Sequence, residues 1–282
     1  MLYVINYADE KYEMARKMNT KSAYFRGKCD RVIEYSPASI DLDFRNKNKV
    51  ILDNERGGGY WLWKPYIIDK TLALINDGDY LFYCDAASVF INPISELINL
   101  MHKYKQSILL FELPFKEKQF TKWEIFHELE ADETIIDQNQ YLASFILIQK
   151  NNYICNFIKE WLTLSQNYLL ISDKISLPQD PLFYQCRHDQ SILSVLAKKY
   201  SIIPFRDPSQ FGKYDYYEFQ VRKWAKDNNI IMNRPMSKGN KHNTIFLHRH
   251  NKISYIGVLI LYMKYRIKYL FCSIKGVFDL FI

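Results

Sequence analysis

Four short segments hold the residues able to do chemistry. The first runs Arg56-Gly57-Gly58-Gly59-Tyr60-Trp61-Leu62-Trp63-Lys64-Pro65 and places three of only nine glycines side by side. Consecutive glycines let a backbone approach a ligand closely or adopt positive φ. Arg56 and Lys64 suit a diphosphate, and Tyr60, Trp61 and Trp63 can stack on a base or a sugar ring. Lys64 is followed by Pro rather than Ser or Thr, so this is not a Walker loop. The second segment, Tyr83-Cys84-Asp85-Ala86-Ala87-Ser88, sets a carboxylate at the end of an apolar run, where open α/β sheets bind ligands. One Asp there can hold a divalent cation that bridges two phosphates, although the same residue type also serves turns and helix caps. The third, Arg187-His188-Asp189-Gln190-Ser191, puts three polar groups at the start of a helix, at the positive end of its dipole. The fourth is His248-Arg249-His250-Asn251. On an extended segment His248 and His250 share a side, and a neutral imidazole can ligate a metal.

The elements that must position these groups read as alternating strands and helices. Leu2–Asn6, Arg31–Tyr35, Tyr80–Cys84, Ser107–Phe111, Ser144–Gln149 and Thr244–Leu247 have strand length and apolar character. Helices are expected over Glu10–Arg26, from Lys64-Pro65 to the turn Asn76-Asp77-Gly78-Asp79, over Ile94–Tyr104, Asn152–Gln166 and Asp189–Tyr200. This order predicts an α/β fold, a three-layer sandwich around a largely parallel sheet. No repeat and no Gly/Ser-rich linker divides the first 250 residues, which read as one domain.

The chain has 282 residues, 48% hydrophobic and 24% charged, which excludes disorder and low complexity. Its five cysteines, with no CxxC pair, indicate a reducing compartment and neither a disulfide framework nor a zinc site. The N-terminus MLYVINYADEKYE lacks the apolar stretch of a signal peptide, so a cytoplasmic location is expected. No run of 18 apolar residues predicts a transmembrane helix. The net charge of +7 is unevenly spread: residues 222–282 hold 12 Lys/Arg against 2 Asp/Glu, whereas residues 1–221 hold 26 against 29.

The order YCDAAS, then QYLASFILIQK, then HDQSIL, then LHRH resembles that of GT-A fold glycosyltransferases over residues 1–250. The GGGYWLWKP segment resembles one in bacterial enzymes that build surface polysaccharides such as lipopolysaccharide and capsule. The resemblance implies a GT-A-like sandwich, a nucleotide-diphosphate donor such as a UDP-sugar, and a glycan or lipid-linked acceptor. It further implies Mn²⁺ or Mg²⁺ at a D-x-D motif, of which Asp85 matches the first Asp and Ala87 replaces the second. His248 matches a late metal-ligating His. HDQSIL resembles the D-Q-D-I-L segment of glycogenin-like retaining galactosyltransferases, which would place Asp189 and Gln190 at the donor sugar. Ser191 departs from that segment's second Asp. The donor site would then comprise Arg56, Gly57, Gly58, Gly59, Tyr60, Trp63, Lys64, Asp85, Ala87, Ser144 and His188, with Asp189 and Gln190 catalytic. For an inverting enzyme, Glu112 or Glu117 could serve as general base.

Residues 251–282 read as an amphipathic helical tail. At 100° per residue Lys264, Lys268 and Lys275 fall within an arc of roughly 40°, with Asp279 close by and Arg266 opposite. Most other positions are apolar. Such a helix suits the interface of an anionic bilayer, on the inner face of the cytoplasmic membrane; packing on the body or on a second copy is the simpler alternative. Nucleic acid fits poorly, because apolar residues outnumber basic ones in the tail. The expected protein is a membrane-peripheral glycosyltransferase. A catalytically inactive nucleotide-sugar-binding protein and a basic nucleic-acid-binding protein are its rivals.

Overall fold

The structure, a computed structural model, describes residues 1–239 and 243–278, with side chains described as far as Cys272. Six strands form one sheet: β1 (Leu2–Tyr7), β2 (Arg31–Tyr35), β3 (Tyr80–Cys84), β5 (Ile108–Lys116), β6 (Asn139–Gln149) and β7 (Pro204–Arg206). Their order is β2-β1-β3-β6-β5-β7. Every neighbouring pair is parallel except those of β6, which runs antiparallel to both β3 and β5. A separate ribbon pairs β4 (Ser88–Phe90) with β8 (Ile245–Leu247) in antiparallel fashion.

Strand alternation divides the core into two layers. Tyr3, Ile5, Leu81, Tyr83, Ile146 and Ile148 face one side. There they meet α2 (Trp63–Leu74), α4 (Asn152–Ser165) and α5 (Asp189–Lys199) through Ile67, Phe157, Trp161 and Leu193. Leu2, Val4, Phe82, Cys84, Phe145 and Leu147 face the other side. α3 (Ser95–Lys103) and α6 (Tyr214–Asp227) cover them through Leu97, Met101, Tyr217 and Ala225. Strands buried on both faces read as continuous apolar runs, which is why YLFYC and SFILI show no alternation in sequence.

Three expectations shift. The helix expected over Glu10–Arg26 is α1 (Glu13–Ser22), preceded by a 3₁₀ turn and closed by a π turn over Ala23–Gly27. Gly27 there lies against Phe90, whose ring a β-carbon would meet at 3.1 Å. β5 and β6 extend beyond their apolar centres because their polar ends pair with each other, from Glu112↔Tyr141 to Lys116↔Asn139. Finally, the C-terminal helix α7 (Tyr255–Phe278) packs on the body: Val258 and Tyr265 bury against Tyr216 and Phe246. Lys275's side chain and Asp279 lie outside the described residues.

A buried polar cluster locks β5, β6 and α5 together. Glu117 accepts from Lys198 and Ser194, and from Thr121 at 2.6 Å. Gln140 joins it by donating to Thr121, Ser191 and the Phe120 carbonyl. Glu117 is therefore a structural counter-ion, enclosed and out of reach of any cleft. Glu112 is likewise committed, accepting from Asn139 at 2.7 Å and from the Ser237 amide at 3.0 Å. Replacing Glu117 alone strands a buried ammonium. Urea unfolding of Glu117→Ala should show a loss of about 3–5 kcal/mol, and Glu117→Ala/Lys198→Met should recover part of it. An unchanged midpoint in the single variant would refute the pair's role.

Candidate active site

The carboxyl ends of the parallel strands open onto one cleft of about 800 Å³. Asp85 follows β3 at its centre, and a smaller recess of about 240 Å³ joins it there. Trp61, Asp85 and Ser144 line both spaces. The turn that presents Asp85 is held from below. Asn19, fully buried, donates to the Ser88 carbonyl at 3.1 Å and to Cys84 at 3.3 Å, while Ser88 Oγ donates to the Asp85 carbonyl at 2.6 Å. The Asp85 amide donates to the Ser144 carbonyl at 3.0 Å, tying the turn to β6.

The smaller recess holds a buried cation. Lys64, 4% exposed, stands at the start of α2. Its ammonium is 3.1 Å from Asp189 Oδ2 and 4.0 Å from Asp85 Oδ1. Asp85 also accepts from the Tyr83 hydroxyl at 2.6 Å. Asp189 opens α5, and its carbonyl accepts from Trp161 Nε1 at 2.9 Å. Burial raises the Asp189 carboxyl to about 6; Lys64 pulls it down and Asp85 pushes it up. Gln190 follows with both ends fixed: its oxygen accepts from the Ala143 amide at 3.1 Å and its nitrogen donates to Gln140 at 2.8 Å. Sequence segments far apart thus converge, and Arg56, Lys64, Asp85, Ser144, His188, Asp189 and Gln190 all line the smaller recess.

The glycine segment forms a left-handed turn. Gly57, Gly58, Gly59, Tyr60 and Trp61 have φ of 61°, 59°, 96°, 50° and 61°. The Tyr60 amide donates to the Arg56 carbonyl at 2.7 Å and the Trp61 amide to Gly57 at 3.4 Å, one helical turn of the disfavoured hand. Such a turn costs about 1–2 kcal/mol for each residue bearing a β-carbon, so glycine at three of the five positions makes it attainable. The turn carries Gly57, Gly58 and Trp61 into the cleft wall, beside Trp63. Trp63 donates to the Gly57 carbonyl at 2.9 Å and stacks on Tyr7 at 3.8 Å. Gly59 and Tyr60 lie beneath the surface: a β-carbon on Gly59 would come within 2.8 Å of Leu52, and Tyr60 stacks on His188.

His188 is itself strained at φ 52°, ψ −120°, and its Nδ1 donates to the Ile171 carbonyl at 2.7 Å. Burial lowers its pKa, so the ring is neutral.

The metal expected at Asp85 and His248 finds a poor donor set. Ala87 offers no oxygen from its side chain, and the Lys64 ammonium already faces Asp85. His248 accepts from the His250 amide through Nδ1 at 3.1 Å. Burial lowers the His248 pKa to about 4, so the ring is neutral, but it lines neither the cleft nor the recess. Among the described residues no group of three His, Cys, Asp or Glu side chains could hold a metal ion.

Residues absent from the sequence reading also line the cleft. Tyr7, Ala8 and Asp9 end β1 beside Pro37 and Ile40. Their signal was available: LYVINYAD, like YLFYCDA, is an apolar run ending in alanine beside aspartate. Asp207, Phe211 and Tyr217, which carry no local pattern, form the opposite wall with Arg249 of the fourth segment.

Two glycine variants test the turn. Gly58→Ala meets only Trp63 at 3.8 Å, so its loss should be the conformational cost of about 1–2 kcal/mol, read by thermal unfolding. In Gly57→Ala the new β-carbon would sit 2.4 Å from the Trp61 ring, so the aromatic circular dichroism should change as well. An unaltered aromatic signal in Gly57→Ala would rule out this geometry.

No protein-family model and no curated protein matches the chain. Among solved structures, mouse xyloside xylosyltransferase 1 superposes with a TM-score of 0.50 at 9% identity, over 90% of this chain and 100% of that one. The galactosyltransferase LgtC, in complex with donor and acceptor sugar analogues, gives 0.43 at 12% identity, over 88% and 87%. The glycosyltransferase GlyE of Streptococcus pneumoniae gives 0.43 at 13% identity, over 90% of this chain and 54% of that one. The strand order, the three layers and the likeness to the xylosyltransferase make this a GT-A-like glycosyltransferase fold.

Proposed function

We propose that the chain is a glycosyltransferase that moves a sugar from a nucleotide-diphosphate donor, a UDP-sugar foremost, to a hydroxyl of a glycan or lipid-linked acceptor. The observation that carries this reading is Lys64, a buried ammonium held by two carboxylates in the recess that adjoins an aromatic-lined cleft at Asp85. Breaking the bond between the sugar's anomeric carbon and the diphosphate sends the electron pair onto the leaving phosphate. A preorganised cation at that point stabilises the transition state without reorganisation. The β1–β2 end of the cleft, with Tyr7, Pro37, Ile40 and Trp63, supplies apolar and aromatic surface for a base and ribose. The Gln190 carboxamide, pinned at both ends, and Asp189 orient the sugar, so that the acceptor hydroxyl reaches the anomeric carbon on the face the diphosphate leaves and gives its proton to the departing phosphate oxygen.

Retention of configuration accords with this site. Asp85 and Asp189 both face Lys64, while Glu112 and Glu117 are engaged elsewhere, so none of the four is a free base for inversion. No step is assigned to a divalent metal, because the donor set at Asp85 does not suit one.

A panel of nucleotide sugars tests the reading. One UDP-sugar should raise the melting temperature and, with acceptor, release UDP, in EDTA as well as in Mn²⁺. Lys64→Met should lower kcat/KM by about 10²-fold or more. Asp189 must be ionised to hold Lys64, so activity should fall as pH drops through about 6. Losing the ammonium should move that limb to higher pH in Lys64→Met. The linkage to stability has the opposite sign: a raised carboxyl pKa favours the fold below about pH 4, and that support is gone above about 6. Stabilisation by no nucleotide sugar, together with no UDP release, would end the proposal.

Peripheral attachment to an anionic membrane through α7 belongs to the same reading. No helix among the described residues is long and apolar enough to cross a membrane. Ile256, Leu259, Ile260, Met263, Ile267, Leu270 and Phe271 are all exposed. At ~100° per residue they occupy one arc of about 120°, opposite the packed Val258 and Tyr265. Lys264 and Lys268 border one edge and Arg266 the other, an arrangement suited to snorkelling above an apolar stripe. Vesicles containing phosphatidylglycerol should sediment the protein, and Lys264→Gln/Lys268→Gln should weaken binding about 30-fold, at ~1 kcal/mol for each charge. Equal binding to neutral and anionic vesicles would remove the electrostatic part of this claim, and no binding would remove all of it.

A further inference from the structure

Two arginines on the β5–β7 side of the site stack on aromatic rings instead of closing an ion pair. Arg187 lies flat on Phe120, 3.8 Å from guanidinium carbon to ring centre, and 5.0 Å from Phe115. Its one side-chain hydrogen bond reaches Gln140 Oε1 at 3.4 Å, the same oxygen that holds Gln190. Arg249 sits over Phe211 at 4.6 Å. Its backbone, at φ 61°, is anchored by an amide bond of 3.0 Å to the Ala87 carbonyl, two residues from Asp85. Among the described residues no acid lies within ion-pair distance of either arginine.

Aromatic rings join the two. Phe115 meets Tyr217 edge-on at 5.8 Å, and Tyr217 meets Phe211 at 5.3 Å. The result is a wall of successive contacts from Arg187 in the smaller recess, through the buried Phe115, to Tyr217, Phe211 and Arg249 in the larger cleft. Asp207 lines the same cleft and feels the charges of Arg249 and Arg206; it is buried and accepts from the Ser209 amide at 2.7 Å. Burial of Arg187 lowers its pKa to about 10, against the opposing pull of Tyr217 and Glu117.

The Arg249 end of this wall lies away from the β1–β2 side, and its Arg187 end adjoins the recess of Gln190. In the strand order β2-β1-β3-β6-β5-β7, Tyr7 leaves β1 on one side of Asp85, while Leu113 in β5 and Asp207 after β7 lie on the other. A nucleotide on the β1–β2 side leaves the β5–β7 side to the acceptor. Guanidinium groups stacked on rings keep their planar forks free for carboxylate or phosphate. A partly buried cation without a partner is costly unless a ligand supplies the anion.

We propose that this wall binds an anionic substituent of the acceptor, a carboxylate or a phosphate, so that the acceptor is an acidic saccharide. The inference rests on the transferase reading above and narrows its substrate class. It assigns Arg187 and Arg249 to acceptor specificity.

Calorimetry on the full chain, saturated with UDP, tests it with three probes: methyl glucoside, methyl glucuronide and glucose 6-phosphate. At least one anionic probe should bind about tenfold or more tighter than the neutral one, and the stronger of the two identifies carboxylate or phosphate. Arg249→Gln changes an exposed side chain and should reduce the preference; Arg187→Lys keeps the charge but loses the fork and should do the same. UDP titration of each variant reports a folded site. Anionic probes that bind no better than methyl glucoside, or a preference that survives both variants, would overturn the proposal while leaving the transferase reading intact. Failure of UDP itself to bind would overturn both.

Discussion

The site is organised around one unfavourable act, the burial of the Lys64 ammonium. A cation 4% exposed needs negative charge nearby, and two carboxylates from separate parts of the chain supply it. Asp85 can do so only where β3 stops, and Asp189 only where α5 begins. The position of Lys64 at the head of α2 in turn sets where the glycine turn must end. Strand, helix starts and turn therefore have one mutually consistent arrangement. The polar cluster of Asn19 and Ser88 beneath Asp85 belongs to that arrangement, because a mobile Asp85 would leave Lys64 with one partner.

Two buried charge clusters thus stand close together with different purposes. Glu117 and Lys198 are enclosed, fully satisfied and serve cohesion. Lys64, Asp85 and Asp189 are less complete: Asp85 is partly exposed, and Asp189 is ionised at the expense of a raised pKa. Incomplete satisfaction next to a cleft is what a charged ligand can finish. Gln140 couples the two clusters, touching Glu117 on one side and Gln190 and Arg187 on the other.

Much of the fold is legible in the residues because strands buried on both faces advertise themselves as apolar runs, and helix starts are marked by Pro65 and Asp189. Lys64, Asp85, Asp189 and Gln190 are legible for the same reason: each stands at an element boundary, where chemistry and turn signals coincide. The ends of β5 and β6 are not, since polar residues such as Gln140 enter a strand only because distant side chains satisfy them. His248 illustrates the limit of spacing arguments. Its place after a strand is as expected, but the amide of His250 decides which ring nitrogen keeps the proton. Arg187 and Arg249 lie inside two of the singled-out segments, yet the contacts that join them exist only in three dimensions, through Phe115, Phe211 and Tyr217. The tail's two readings, packed helix and amphipathic surface, turn out to describe opposite faces of the same helix.

The left-handed turn at residues 57–61 also has a meaning for mutation. Every single-base change in a glycine codon that alters the residue introduces a β-carbon or ends the chain. At Gly57 and Gly59 that carbon would meet Trp61 or Leu52, and at Gly58 the backbone angle alone opposes it. The neighbouring sequences reachable in one step are thus all penalised at three successive positions. Function can drift through the walls of this cleft, where side chains do the work, far more readily than through the one stretch where having no side chain is the requirement.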